Sequence, residues 1–140
     1  MEIERLQKED ILLYKDLIDG CFGQSTDIEQ YQKYELNGNY DILVAKENNE
    51  IMGSVTLYKI DLFTFDFQPC LMLFNVAVKQ THRRKKVAET LLNHVKKFAK
   101  DNGYRSISLT CLDDAYPAHK LYESVGFKKA SSIKYNLSIE

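Results

Sequence analysis

No run of apolar residues in this 140-residue chain approaches the roughly 18 needed to cross a bilayer, so no membrane partner is expected. The opening M-E-I-E-R-L lacks the basic-then-apolar order of a signal peptide, and a cytoplasmic location is expected. Cysteine is scarce. Cys21, Cys70 and Cys111 are odd in number, widely spaced and without a C-x-x-C pair, which argues against a disulfide framework and a zinc site and for free thiols. No metal is expected. The phosphate loop G-x-x-x-x-G-K-[ST] is absent, and no G-x-G-x-x-G follows any strand, so the nucleotide triphosphatase and dinucleotide-binding classes drop out. Internal repeats, low-complexity segments and linkers are also lacking, and one domain over residues 1–140 is expected.

What is present is an ordinary globular composition, 44% hydrophobic and 28% charged, enough for one sizeable core. The net charge of −1 hides an uneven distribution. From Lys79 to Lys100 there are eight Lys/Arg against one acid, Glu89, while the excess acid lies before residue 67. A local positive field on an acidic body suits a small anionic ligand better than a nucleic-acid backbone.

Hydrophobic periodicity orders the chain as mixed α/β. A short strand over Met1 to Leu6 is followed by a helix carrying Ile11, Leu12, Tyr14, Leu17 and Ile18, with Gly20 as its stop. Asp27 can cap a second helix whose face carries Ile28, Tyr31 and Tyr34 and which ends at Asn37-Gly38; its aromatic face reads as core before ligand wall. Asp41 to Lys46 and Ile51 to Ile60 flank E-N-N-E as a hairpin. A Phe-rich loop, Asp61 to Pro69, precedes an almost wholly apolar strand, Leu71 to Val78, of the kind covered on both faces. Val87, Leu91, Val95 and Phe98, with Ala88, Leu92 and Ala99, form a helical stripe that Gly103 ends. A strand over Arg105 to Cys111 and a helix with Pro117 in its first turn, ended by Gly126, come next; closing strands are expected at Phe127 to Ala130 and Ile133 to Ile139.

The chemistry concentrates between Val76 and Leu92, V-A-V-K-Q-T-H-R-R-K-K-V-A-E-T-L-L. An apolar strand feeds four consecutive cations, Arg83, Arg84, Lys85 and Lys86, and these open into a helix at Val87. The first N–H groups of a helix have no partner inside it and its dipole is positive there, so the arrangement suits a phosphate. Together with A-H-K-L-Y-E-S-V-G-F over Ala118 to Phe127, this stretch resembles the GNAT superfamily of N-acetyltransferases. The family's acetyl-coenzyme A signature is commonly written R/Q-x-x-G-x-G/A, and its later helix A-x-x-L/F-Y-x-x-x-G-F. Arg83 stands at the R/Q position and Ala88 at the final small residue. Lys86 replaces the central glycine and Arg84 the glycine often found after the arginine, while Ala115 replaces an asparagine that often precedes the later helix. Backbone N–H groups do the phosphate binding, so glycine is needed only if φ is positive or the ligand touches the Cα.

The resemblance implies a mixed, mostly antiparallel seven-stranded sheet flanked by four helices, with acetyl-coenzyme A between the fourth and fifth strands. It implies cofactor contacts from Val76, Val78, Arg83, Arg84, Lys85, Lys86, Val87 and Ala88. It makes Tyr122 the general acid toward the coenzyme A thiolate, and a backbone amide of Val76 to Val78 the oxyanion donor. The acceptor is a primary amine of a small molecule or a peptide, and many relatives are dimers. Where many relatives have a glutamate two residues before the V-A-V run, this chain has Phe74, beside Asn75, and neither is a base. Asp113, Asp114, Asp61 and Asp66 are the acidic candidates, while His82 and His119 read as surface or supporting residues. Two rival readings stand beside this one: a basic module binding nucleic acid, and a cofactor-binding sensor without turnover.

Overall fold

A computed structural model of the chain describes residues 1–33 and 38–139. Tyr34 and Asn37 of the expected second helix lie outside the described residues. Met1–Thr110 forms one compact unit and Cys111–Glu140 a second, smaller one.

The larger unit holds β1 (Glu2–Arg5), α1 (Ile11–Phe22), α2 (Ile28–Gln32), β2 (Tyr40–Glu47), β3 (Glu50–Ile60), β4 (Cys70–Val78), α3 (Val87–Asp101) and β5 (Ser106–Ser108). The strands form one sheet in the order β1-β2-β3-β4-β5. The first four are antiparallel neighbours, and β5 joins β4 in parallel. The β2–β3 hairpin turns on Asn48 and Asn49, at φ 51° and 60°, between paired Glu47 and Glu50. Two left-handed residues give the turn whose twist matches the strands, and asparagine tolerates that region better than most side chains.

Every residue of β3 from Ile51 to Leu57 is buried, so both faces of the sheet are covered at its centre. Leu6, Ile11, Tyr14, Leu17, Ile18, Ile42, Val44, Ile51 and Ala77 make one core cluster. In α3 the predicted stripe buries Val87, Leu91, Leu92, Val95 and Ala99, each worth up to about 1.5–3 kcal/mol for the larger side chains. Phe98 is half-buried and stacks on Tyr104, with centroids 5.9 Å apart.

Several sequence expectations are corrected. Helix α1 passes through Gly20 and ends at Gly23, whose φ of 63° lets its N–H reach the Asp19 carbonyl; the left-handed position, not the first glycine met, ends the helix. Asp27 stands at the start of α2 but makes no side-chain capping bond. Strand β5 is three residues long, because its pairing with β4 stops at Met72 and Ser108. β4 is not uniformly covered: Phe74 and Asn75 are exposed where the strand bulges.

In the smaller unit, α4 (Tyr116–Ser124) has Pro117 in its first turn and is followed by Gly126 at φ 105°. Residues 127–139 form no strand. Ile133, Tyr135, Leu137 and Ile139 alternate as expected yet are 78% or more exposed. Alternation prepares a strand, but a ladder requires a partner edge, so the described residues hold five strands and four α-helices rather than seven and four.

Candidate functional site

The basic turn begins where β4 ends. Lys79 N–H donates to the Met52 carbonyl at 2.8 Å, and His82 N–H to the Lys79 carbonyl at 2.8 Å, which closes a short 3-10 turn over Gln80–His82. Arg83 is extended, with φ −66° and ψ 151°. Arg84 then has φ 68°, and Lys86, the residue before α3, has φ 60° and ψ 26°. Lys86 stands at the signature's central glycine, and Arg84 where a glycine often follows the arginine. The left-handed path is therefore kept without glycine, at a cost of roughly 1–2 kcal/mol per residue.

That path feeds the helix start. The Lys86 carbonyl accepts from Thr90 N–H at 3.0 Å and from Thr90 Oγ1 at 2.8 Å, and no side chain caps the amides of the first turn. The side chains of Arg83, Arg84, Lys85 and Lys86 are exposed, and none is in an ion pair among the described residues. Amides without a side-chain cap at the positive end of a helix dipole, beside four cations in no ion pair among the described residues, form an arrangement suited to an anion.

Glu50 sits beside this turn. Its Oε1 accepts from Lys79 Nζ at 2.9 Å and from His82 Nε2 at 3.1 Å. The Lys79 and His82 hydrogen bonds, in that order, hold the Glu50 carboxyl below the usual carboxylate range. His82 Nδ1 lies 3.5 Å from Lys85 Nζ.

Val76 and Val78 are half-buried and Ala77 is buried. Just before them, β4 sets Asn75 and Val76 against the single Val55 of β3, with Asn75 at φ 54°. This is a β-bulge, which bends its strand and re-aims its side chains. Parallel pairing with β5 involves only Cys70–Met72, so β4 from Leu73 onward has no strand partner on that side among the described residues.

Asn75 also borders a cavity of about 230 Å³ whose walls include Tyr14, Tyr31, Tyr40, Tyr58 and Gln24. Tyr31 Oη donates to Asp19 Oδ1 at 2.7 Å and accepts from Gln24 Nε2 at 3.1 Å. Burial, reinforced by the bond to Asp19, pushes the Tyr31 phenol up to about 12. Lys15 and then Tyr31 hold the Asp19 carboxyl below its ordinary value. Sequence reasoning read Tyr31 as core before ligand wall and passed over Gln24; the aromatic face of the second helix was the signal for this cavity. A hollow of about 330 Å³ beside Met1, Glu2, Lys46 and the Asn48–Asn49 turn gathers none of the predicted site residues.

Asp61 and Asp66 are exposed in the Phe-rich loop, and Asp113 and Asp114 are exposed in the turn before α4. In the smaller unit, His119 Nε2 lies 2.9 Å from the Leu112 carbonyl. Tyr122 is half-buried, with its ring edge-on to Phe127 at 5.9 Å, and its hydroxyl makes no hydrogen bond among the described residues. Burial, and secondarily the charge of Cys111, pushes that hydroxyl above the ordinary phenol value. No group of His, Cys, Asp and Glu able to hold a metal occurs among the described residues, and no helix there is long and apolar enough to cross a membrane.

Known proteins are similar to this chain at both levels. Human N-acetyltransferase 8B is 34% identical over 86 residues, 61% of this chain and 37% of its own length. Across the curated relatives it matches, the chain spans only 37–51% of their length. A putative acetyltransferase from Agrobacterium tumefaciens str. C58 superposes with a TM-score of 0.87 at 18% identity, over 100% of this chain and 99% of that one. An aminoglycoside acetyltransferase, meta-AAC0020 from an uncultured soil metagenomic sample, does so with 0.86 at 20% identity, over 99% and 96%. Such low identities establish the fold alone. Residues 10–127, which include both the basic turn and α4, match the acetyltransferase (GNAT) family, and the chain belongs to that family.

Proposed function

We propose that this protein is an N-acetyltransferase. It moves an acetyl group from acetyl-coenzyme A to a primary amine of a small molecule, a lysine or an N-terminal residue, by direct attack and without a covalent enzyme intermediate. One domain over residues 1–140 carries the activity, and the three free cysteines support a reducing, cytoplasmic setting.

The observation that carries this reading is the left-handed pair Arg84 and Lys86 before the uncapped start of α3. A non-glycine residue in that region persists only where its surroundings over-determine it, and such strain clusters at ligand clamps. The amides of Val87 and Ala88, with Arg83, Arg84, Lys85 and Lys86, would hold the diphosphate and the ribose 3′-phosphate. Bound acetyl-coenzyme A supplies the thioester whose carbonyl carbon the acceptor nitrogen attacks.

The remaining roles fall to the chain. The unpaired edge of β4 offers Val76 and Val78 backbone groups to the pantetheine arm, and an amide of this run would steady the developing oxyanion. The Tyr31 cavity takes the acceptor, its aromatic walls suiting an amine-bearing group. Tyr122 gives its proton to the departing thiolate; its hydroxyl makes no hydrogen bond among the described residues, and burial keeps it protonated at neutral pH.

A thermal-melt titration tests the cofactor. Acetyl-coenzyme A is expected to raise the melting temperature, and Arg84→Glu or Lys86→Glu to abolish the rise. No rise in the wild type would sink the enzyme reading. A sensor without turnover remains a second reading, favoured by Phe74 at the usual glutamate position. It gains if no amine of any class accelerates thiol release above solvent hydrolysis.

A further inference from the structure

Lys79 and His82, which precede the four cations of the basic turn, both contact one acid, Glu50. Glu50 opens β3 directly after the Asn48–Asn49 turn, far in sequence from the cradle. A single oxygen, Oε1, receives both Lys79 Nζ and His82 Nε2, the two side chains that flank the short turn leading into Arg83. The His82 side chain is only 16% exposed, against 38% for Glu50 and 39% for Lys79. The imidazole is thus enclosed at the root of an otherwise exposed cationic loop.

We propose that Glu50 and His82 are positioning residues of the phosphate-binding turn, tying its first residues to the β2–β3 hairpin and making coenzyme A affinity depend on the protonation of His82. This rests on the cofactor reading above.

The groups facing His82 are Glu50 from β3, Lys79 from the end of β4, and Lys85 from the turn itself. With a neutral imidazole, Nε2–H donates to Glu50, which leaves Nδ1 as an acceptor for Lys85 Nζ. Lys85 is then drawn back toward the protein. Protonation makes Nδ1 a donor, so it repels the Lys85 ammonium and frees that cation for phosphate. The same proton converts the Nε2 contact with Glu50 into a charge-assisted bond, which is shorter and stronger. Both effects favour an anionic ligand when His82 carries the second proton.

A purely electrostatic role for Glu50 predicts the opposite sign from a positioning role. Removing a negative charge beside a phosphate site would tighten binding; removing the strut that holds the turn would weaken it.

The experiment is isothermal titration with 3′-dephospho-coenzyme A at pH 6.0 and 8.0, which avoids the phosphate monoester's own titration near 6. Wild type is expected to bind about threefold more tightly at pH 6.0, the size of effect one partly screened charge provides. Glu50→Gln should bind at least threefold more weakly than wild type at pH 6.0. His82→Gln keeps a donor to Glu50 and should lose the pH dependence. Glu50→Gln binding as tightly as wild type, or His82→Gln keeping the wild-type pH profile, overturns the proposal. Melting temperatures of each variant show whether a loss is one of folding. Imidazole 15N–1H correlation on the ligand-free protein reads the pair directly. An Nε2–H tautomer at pH 8.0 that changes in Glu50→Ala, which removes the acceptor, is expected, and its absence overturns the pairing. If wild type binds no coenzyme A at either pH, the cofactor reading falls, and the tautomer measurement still judges the pair.

Discussion

Gly53 of β3 and Val87 of α3 meet so closely that a Cβ added to the glycine would lie 2.8 Å from Val87 Cγ1 and 2.8 Å from the Ala77 carbonyl oxygen. The backbones of β3 and β4 and the first turn of α3 thus converge on a position that only glycine fills. The consequence reaches the candidate site, because Val87 is also the first helical residue after the left-handed Lys86. Gly53→Ala is expected to cost about 1–3 kcal/mol of stability through overpacking. It should also weaken coenzyme A binding, since the cheapest relief is to push the α3 start outward. Denaturant unfolding and a ligand titration on the same sample check both; an unchanged midpoint refutes the close approach.

The backbone at Lys86 makes a separate prediction. At φ 60° a side chain pays a steric cost that glycine does not. Lys86→Ala and Lys86→Gly both remove the cation, so the comparison isolates the backbone. The glycine variant should be the more stable by about 1 kcal/mol. Both should bind coenzyme A more weakly than wild type, and a salt titration should show a shallower dependence for each.

Tyr122→Phe keeps the ring packed edge-on to Phe127 and removes only the hydroxyl, which makes no hydrogen bond among the described residues. Stability should therefore change by less than about 0.5 kcal/mol. Turnover should fall by about 10²-fold or more if the hydroxyl is the proton donor. Steady-state thiol release with a saturating amine reads this, and an unchanged kcat removes Tyr122 from the mechanism.

Tyr31 gives a pH prediction with a definite sign. Its phenol is raised to about 12 by burial and by Asp19, whereas an unfolded tyrosine ionises at about 10. A group whose folded value is raised contributes stability that is fully present below the unfolded value and lost as pH rises through the folded one. Stability from Tyr31 should thus be constant up to pH about 10 and decline between about 10 and 12. Ultraviolet titration should show one phenol ionising near 12, and that step should vanish in Tyr31→Phe. Asp19→Asn should lower it.

Local signals made much of this molecule readable. The α3 stripe, the Asn-Asn hairpin turn and the Pro117 helix start each depend on residues within a few positions of one another. Short-range periodicity and backbone preference therefore specify them. The basic turn was readable for the same reason: cations, strand end and helix start are contiguous. Less legible was the end of α1, where Gly20 and Gly23 compete and the left-handed conformation selects Gly23. The closing strands were over-read, because Ile133 to Ile139 alternate but form no ladder among the described residues.

By itself the sequence determined the family, the order of elements from β1 to α4 and the location of the basic turn, since these follow from motif residues and periods written contiguously. Only the tertiary structure decided that Arg84 and Lys86 take the glycine path, that Asn75 and Val76 bulge against Val55, that Tyr31, held by Asp19, walls a cavity, and that Glu50 grips the turn through Lys79 and His82. The physical reason is common to all four. Each depends on groups distant in the chain whose mutual constraint exists only once the sheet and its helices have packed.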